Sequence, residues 1–208
     1  MKVLAVGDIH TKKWIVDKVD EIADNYDKVV LIGDYADEWK AKAIDNIDIW
    51  RAVRELEKKH GNVTALMGNH DYSYALTSNM FGGRISEITY FILKNPENKD
   101  LAEWVSNLLV HTTIDNVTYS HAGITEKWLD SSRKLTLNCG PLWVRPTKFT
   151  VYAPGKQVFG HTPGKTCREV RPGVWCIDTF SKDPYGRDVG DHTVLEIIDG
   201  EEFNVIEL

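Results

Sequence analysis

Residues 28–37 read KVVLIGDYAD, an apolar, β-branched run that ends in a glycine and acidic residues. Two other stretches repeat this pattern: residues 2–10 read KVLAVGDIH, and residues 62–71 read NVTALMGNHD. Such runs are typical of strands buried on both faces of a parallel sheet. Open α/β sheets place their binding sites at the carboxyl ends of the strands, where these polar clusters fall. The three stretches therefore predict a parallel half-sheet with a site along one edge.

Amphipathic segments separate these predicted strands. Residues 13–26 have helical apolar spacing, and a second helix, at about 41–60, carries an apolar stripe of Ile44, Ile47, Trp50, Val53 and Leu56. From residue 116 onward short strand-like segments dominate, namely VTYSH, KQVFGH, REVRPGVWCID, HTVLEII and FNVIEL. We expect this second half to form another sheet packed on the first. The predicted fold is α/β, a β-sandwich of two mixed sheets flanked by helices.

The chain, residues 1–208, is predicted to be a single domain with a helical insertion at about 72–115. One face of the insertion should carry Leu101, Trp104, Val105, Leu108 and Leu109. It is either a packed helical cap that stabilises the core or a lid that shapes the substrate site.

Bulk properties exclude several classes of partner. A net charge of −6 and the lack of a basic stripe argue against a long nucleic acid. No apolar run approaches the roughly 20 residues that a membrane span needs. The three cysteines, Cys139, Cys167 and Cys176, are widely spaced, so we expect free thiols and a cytoplasmic location.

The polar clusters contain side chains suited to metal ions. Asp8 and His10 are two residues apart at a strand end, so both can point to one face and reach one ion. Asp34 ends the second strand, and a carboxylate can bridge two cations about 3.5–4 Å apart. Taken alone, Asp-x-His is a weak signal for a ligand pair, and Gly-Asp after a strand is more often a turn or a helix cap.

Five ordered segments together give a more specific signal: GDIH at 7–10, GDYAD at 33–37, GNHD at 68–71, SHAG at 120–123 and FGHTP at 159–163. Their order and spacing resemble the calcineurin-like metallophosphoesterase superfamily, and most closely its small bacterial and phage phosphoprotein phosphatases. The resemblance extends from residue 1 to about residue 178. It implies a metallophosphoesterase-type fold and a metal-dependent phosphatase that acts on a phosphorylated substrate.

The resemblance also implies a ligand set for two divalent ions bridged by Asp34. One ion would be bound by Asp8 and His10, and the other by Asn69, His121 and His161. Manganese is the expected metal, and the mixed oxygen and nitrogen ligands also admit iron, zinc or nickel. Three of the other four histidines, His60, His111 and His192, are interpreted as polar residues that bind no metal.

Two further residues are assigned to chemistry by the same resemblance. His70 would protonate the leaving oxygen, and Asp37 would orient the imidazole of His70, which keeps a proton available near neutral pH. A metal-bridging hydroxide would attack phosphorus in line with the leaving group. The expected reaction is hydrolysis of a phosphomonoester, on a phosphoprotein or a small phosphorylated metabolite.

The sequence departs from the phosphatase pattern where an arginine usually follows GDxxD, because Glu38 stands there instead. Arg145, in the segment LWVRP at 142–146, can supply the missing phosphate clamp, or it is a surface arginine. Tyr185 and Arg187, in the polar loop 181–191, either touch substrate or belong to a solvated hairpin.

Two other functions stay open. Related small enzymes with the same ligands hydrolyse dinucleoside polyphosphates, cyclic nucleotides or other phosphodiesters. Many diesterases of the superfamily have Gly-His-x-His in the last motif, whereas this chain has Pro163 in place of the second histidine. The third possibility is a non-catalytic protein-binding scaffold, which the presence of every ligand residue and of His70 makes less favourable.

Overall fold

The computed structural model describes residues 1–76, 86–130, 135 and 140–208. Its strands are β1 (Lys2–Val6), β2 (Lys28–Leu31), β3 (Val63–Ala65), β4 (His111–Ile114), β5 (Val117–Ser120), β6 (Lys156–Phe159), β7 (Arg168–Arg171), β8 (Val174–Cys176), β9 (Thr193–Ile198) and β10 (Glu202–Glu207). The helices are α1 (Lys13–Ile22), α2 (Ala43–Lys59), α3 (Asn69–Ala75), α4 (Glu87–Leu93), α5 (Lys99–Ser106) and α6 (Glu126–Asp130).

The strands form two 5-stranded mixed sheets, in the orders β10-β9-β1-β2-β3 and β4-β5-β6-β8-β7. In the first sheet β1, β2 and β3 are parallel, as their apolar runs predict. In the second sheet β5, β6 and β8 are parallel, and β4 and β7 are antiparallel edge strands. The α/β prediction with two mixed sheets is confirmed.

Alternate residues of the first sheet face two different hydrophobic clusters. Leu4 and Val6 of β1 pack into the cluster that also holds the apolar residues of α1 and α2. Val3 and Ala5 face the other way, into the cluster shared with β5 and β6 of the second sheet. Because both faces are buried, the run KVLAV has no polar alternation.

The prediction that every strand after residue 116 joins the second sheet is wrong for β9 and β10. β9 pairs antiparallel with β1, with Leu4 opposite Glu196, and β10 continues that edge. The physical reason is that β1 would otherwise expose an unpaired edge, which β9 covers. A tight turn at Asp199 and Gly200, both at positive φ, joins the two strands.

In the region of the predicted insertion, α4 and α5 pack onto the core, and residues 77–85 lie outside the described residues. Leu93, Leu101 and Val105 are buried in the cluster that contains α2. Two sequence assignments in these helical regions are wrong: Leu109 is 56% exposed because α5 ends at Ser106, and Ile44 is 46% exposed in the first turn of α2. The last residues of the predicted insertion, His111–Ile114, form β4 of the second sheet.

Cys167 and Cys176 are buried free thiols, as expected, and burial raises the pKa of each to about 12. Cys139 lies outside the described residues. Within the described part of the chain, no helix has the length and apolar character that a bilayer crossing requires.

Candidate metal centre and active site

A cavity of about 350 Å³ opens where β1, β2 and β3 end. The polar residues that follow these strands meet there with residues from the loop after β6. Eight of the predicted metal-binding and catalytic residues line it: Asp8, His10, Asp34, Asp37, Asn69, His70, Arg145 and His161. The ninth, His121, is fully buried and contacts Asn69 and His161 from behind.

Two glycines permit the loops after β2 and β3 to approach each other. Gly33 has φ 96°, and a Cβ there would overlap the backbone of Gly68. A Cβ at Gly68 would in turn overlap the backbone of Asp34. The close approach lets the backbone N–H of His70 donate to Oδ1 of Asp34 at 2.9 Å. The glycines of the GD and GN motifs therefore bring Asp34 beside the start of α3.

The tautomer of His121 is determined by its surroundings. Its Nδ1 lies 3.1 Å from the carbonyl oxygen of Ile32, which can only accept, so Nδ1 carries the proton. Burial lowers the pKa of His121 well below its usual value, so the ring is neutral and Nε2 has a lone pair. That lone pair faces other electron-rich atoms: Asn69 Oδ1 at 2.8 Å, His161 Nδ1 at 3.0 Å and Asp34 Oδ2 at 3.3 Å.

The converging acceptors fit a cation. Ligand atoms of Asp34, His121 and His161 lie within 4.8 Å of one another, and those of Asp8, His10 and Asp34 form a second group of the same span. Nδ1 of His10 is 3.0 Å from the carbonyl oxygen of Ala36, so its Nε2 is left for a metal. Asp34 belongs to both groups.

Burial also shifts the ionisation of these ligands. It raises the pKa of Asp8 well above its usual value and that of Asp34 to about 7, and neighbouring carboxylates add to the effect on Asp8. Burial lowers the pKa of His10 and of His161 to about 3. A bound divalent cation reverses the effect on the carboxylates and favours the neutral imidazoles.

His70 is held by Asp37, whose own position is fixed by two neighbours. Nδ1 of His70 lies 3.0 Å from Oδ2 of Asp37. Oδ1 of Asp37 accepts a hydrogen bond from the hydroxyl of Tyr74 at 2.6 Å and another from Nδ2 of Asn46 at 3.2 Å. Burial opposes protonation of His70, but the carboxylates of Asp34 and Asp37 outweigh it and raise its pKa to about 9. The imidazole is therefore prepared to carry a proton.

Sequence reasoning missed some residues that support the site. Asn46 and Tyr74 contact Asp37, and buried Asp71 accepts from Trp50 Nε1 at 2.8 Å and Gly68 N at 3.0 Å, which fixes the start of α3. A polar residue beside the apolar stripe of α2 was the available signal for Asn46, which is 2% exposed.

Asp178, in the loop after β8, also lines the cavity. It is 1% exposed, and its Oδ2 has no hydrogen-bond partner among the described residues. Its Oδ1 is 3.3 Å from the backbone N–H of Ser181. Burial raises the pKa of Asp178 to about 6. A buried carboxylate oxygen without a partner is costly, so this residue is a further candidate group of the site.

The structure places the three predicted substrate-binding residues differently. Arg145 lines the cavity, and its Nη1 donates to the carbonyl oxygen of His161 at 2.7 Å. Tyr185 and Arg187 lie on the neighbouring loop outside the lining, where Nε of Arg187 donates to Asp183 at 2.7 Å. Contact of these two with substrate stays a prediction.

Comparison with protein families gives a match over residues 1–195 to the model described as calcineurin-like phosphoesterase. The chain belongs to this family. This calcineurin-like phosphoesterase is thus a metal-dependent phosphoesterase, and the ligand groups around Asp34 fit the metals of its family. No sequence among the curated proteins matches it significantly.

Solved structures similar to this calcineurin-like phosphoesterase share its fold at low sequence identity. A cold-active protein-tyrosine phosphatase of the psychrophile Shewanella sp. has a TM-score of 0.65 and 18% identity, over 99% of this chain and 80% of that one. A protein serine/threonine phosphatase from Saccharomyces cerevisiae has a TM-score of 0.64 and 15% identity, over 100% and 80%. A metallophosphoesterase from Sphaerobacter thermophilus has a TM-score of 0.59 and 16% identity, over 100% and 89%.

Proposed function

We propose that the protein is a dinuclear metallophosphatase that hydrolyses phosphomonoesters. The observation that carries the proposal is the shared position of Asp34, whose carboxylate belongs to both ligand groups. Asp8 and His10 would bind one ion, and Asn69, His121 and His161 the other. Manganese suits this set of oxygen and nitrogen ligands, and iron, zinc and nickel also suit it.

Two ions held by these ligands would supply Lewis acidity, to activate water and to neutralise charge on the phosphoryl group. The chain supplies the proton. His70 carries it on the imidazole nitrogen that Asp37 does not hold, and donates it to the departing alcohol. Asp37 keeps the other nitrogen, Nδ1, in place at 3.0 Å. Arg145, at the rim of the cavity, binds phosphate oxygens with the part of its guanidinium that His161 does not use.

The last motif favours a monoester over a diester. Pro163 lines the cavity where many diesterases of the superfamily carry a second histidine. The similarity in fold to two phosphatases is compatible with this choice. Hydrolysis of a phosphodiester or a phosphoanhydride is the alternative that the experiment must separate.

A substrate panel at fixed manganese tests the proposal. Phenyl phosphate, diphenyl phosphate, a phosphopeptide, cyclic AMP and a dinucleoside polyphosphate are compared with and without EDTA. We expect metal-dependent release of phosphate from the monoesters at a kcat/KM well above that for the other substrates. A preference for the diester or the polyphosphate would contradict the monoesterase assignment. The absence of metal-dependent turnover on every substrate would favour a scaffold.

A further inference from the structure

The segment 38–39 separates this chain from phosphatases that carry an arginine and a glycine there. The Glu38 side chain is paired with the Lys12 ammonium, and both side chains are nearly buried, with 12% and 8% exposed. The negative charge of Glu38 is therefore balanced next to the cavity. It does not need a cation from the substrate, and it does not act as a clamp for phosphate.

Trp39 is fixed beside this ion pair at the mouth of the cavity. Its backbone N–H donates to Oε1 of Glu38 at 2.8 Å, and its indole Nε1 donates to the carbonyl oxygen of Lys182 at 3.1 Å. The indole thus connects two loops that are distant in sequence. It nevertheless stays 48% exposed. Since its only polar side-chain atom is already bonded, the surface that remains is hydrocarbon.

The lining of the same cavity combines polar and apolar surface. Its polar residues include metal ligands and His70, together with Glu38, Lys182 and Asp183. Trp39, Pro163, Pro184 and Val189 contribute carbon surface to the lining. The volume of about 350 Å³ is within the range of small-molecule sites, which combine apolar walls with a few polar groups. A substrate whose phosphate binds at the metal ligands shares this cavity with Trp39, so its alcohol portion can reach the indole.

We propose that the Trp39 indole is the specificity surface of the enzyme and binds a planar aromatic ring on the alcohol portion of the substrate. The inference rests on the proposed phosphatase function and names its substrate class. A flat ring gains offset or edge-to-face contact with an indole that a saturated ring of similar size does not gain. A phenolic ring and a nucleobase share this chemistry.

Non-hydrolysable phosphonates test the inference by binding alone. Calorimetry on the manganese-loaded protein compares benzylphosphonate with cyclohexylmethylphosphonate, which has a similar size and no aromatic face. We expect the aromatic ligand to bind roughly 3- to 10-fold more tightly. Trp39→Ala should abolish that ratio, and Trp39→Phe should keep part of it. Phe149→Ala is the matched control, because Phe149 is 79% exposed and lies outside the cavity lining.

Equal binding of the two phosphonates, a ratio unchanged in Trp39→Ala, or no binding of either phosphonate would overturn the inference. Turnover of phenyl phosphate and adenosine 5′-monophosphate by the same variants then distinguishes the ring sources, since Trp39→Ala should lower kcat/KM for the favoured one. Turnover of methyl phosphate tests the phosphatase function separately, because methyl phosphate has no ring. An enzyme that hydrolyses methyl phosphate without an aromatic preference keeps its proposed function and loses this inference.

Discussion

Nε2 of His121 lies 2.8 Å from Oδ1 of Asn69, and neither atom carries a proton for the other. The carbonyl oxygen of Ile32 accepts a hydrogen bond from the single N–H of the buried, neutral imidazole. Two acceptors at such a distance repel each other unless a cation lies between or beside them. With the proton of His121 on Nδ1 and Oδ1 of Asn69 facing Nε2, this arrangement is compatible with a cation beside the two residues.

Replacing His70 with Asn should lower kcat roughly 10²–10⁴-fold, the usual contribution of a general acid. Metal content, measured by mass spectrometry, should not change, because His70 belongs to neither ligand group. The loss should be smaller for nitrophenyl phosphate than for an alkyl phosphate, since nitrophenolate leaves without a proton. An equal loss for both substrates would show that His70 positions substrate or water and does not act as an acid.

Asp37→Asn should move the alkaline limb of the kcat–pH profile to lower pH by roughly one unit. The hydrogen-bonded Asp37 carboxylate, which is not a predicted metal ligand, raises the pKa of His70, and His70 is active as an acid only below its pKa. Loss of that charge therefore inactivates the enzyme at a lower pH. Tyr74→Phe keeps the carboxylate and removes one hydrogen bond, so its limb should stay in place. An alkaline limb at the same pH in Asp37→Asn and wild type would show that ionisation of His70 does not determine that limb.

Asp178→Asn should stabilise the metal-free protein relative to wild type, and this stabilisation should grow as pH rises. The folded-state pKa of Asp178, about 6, exceeds the reference value of 3.8, so its contribution to stability is present below pH 3.8 and is lost as pH rises through 6. Asparagine does not ionise. The unfolding free energy of the variant relative to wild type, from urea titrations with EDTA, should therefore increase by on the order of 3 kcal/mol between pH 4 and pH 8. A pH-independent difference would contradict this interpretation of Asp178.

Arg145→Lys should lower kcat/KM roughly 10-fold without changing metal content. Lysine keeps the charge, but it loses the planar fork that can bind phosphate while Nη1 bonds to His161. Arg187→Lys is the matched comparison, because Arg187 is paired with Asp183 on the neighbouring loop. If only Arg187→Lys lowers kcat/KM, the phosphate clamp belongs to the loop and not to Arg145.

The convergence of the predicted metal ligands at one cavity could be inferred from the sequence, because each stands in a short motif at a strand end, where side-chain position follows from the strand itself. The sheet that β9 and β10 join could not be predicted from the sequence. The pattern TVLEII at 193–198 indicates a strand, but it does not indicate which sheet edge that strand covers. The dipeptide Asp199-Gly200 is a hairpin signal that predicts pairing of β9 with β10. It carries no information on the long-range pairing of β9 with the edge of β1.

The supporting residues were less visible in the sequence because their roles depend on long-range contacts. Asn46 meets Asp37 only when α2 packs beside the loop after β2. Lys12 meets Glu38 across the ends of β1 and β2, and no local pattern identifies that pair. Leu109 was assigned to a buried helical face because apolar periodicity continues past Ser106, where α5 ends.

Anomalous diffraction at the manganese edge, from crystals grown with manganese, is the decisive measurement for the dinuclear centre. We expect two peaks in each chain, with Asp34 contacting both. Asp8 and His10 should contact one of them, and Asn69, His121 and His161 the other. A single peak, or two peaks of which neither contacts Asp34, would contradict the dinuclear centre.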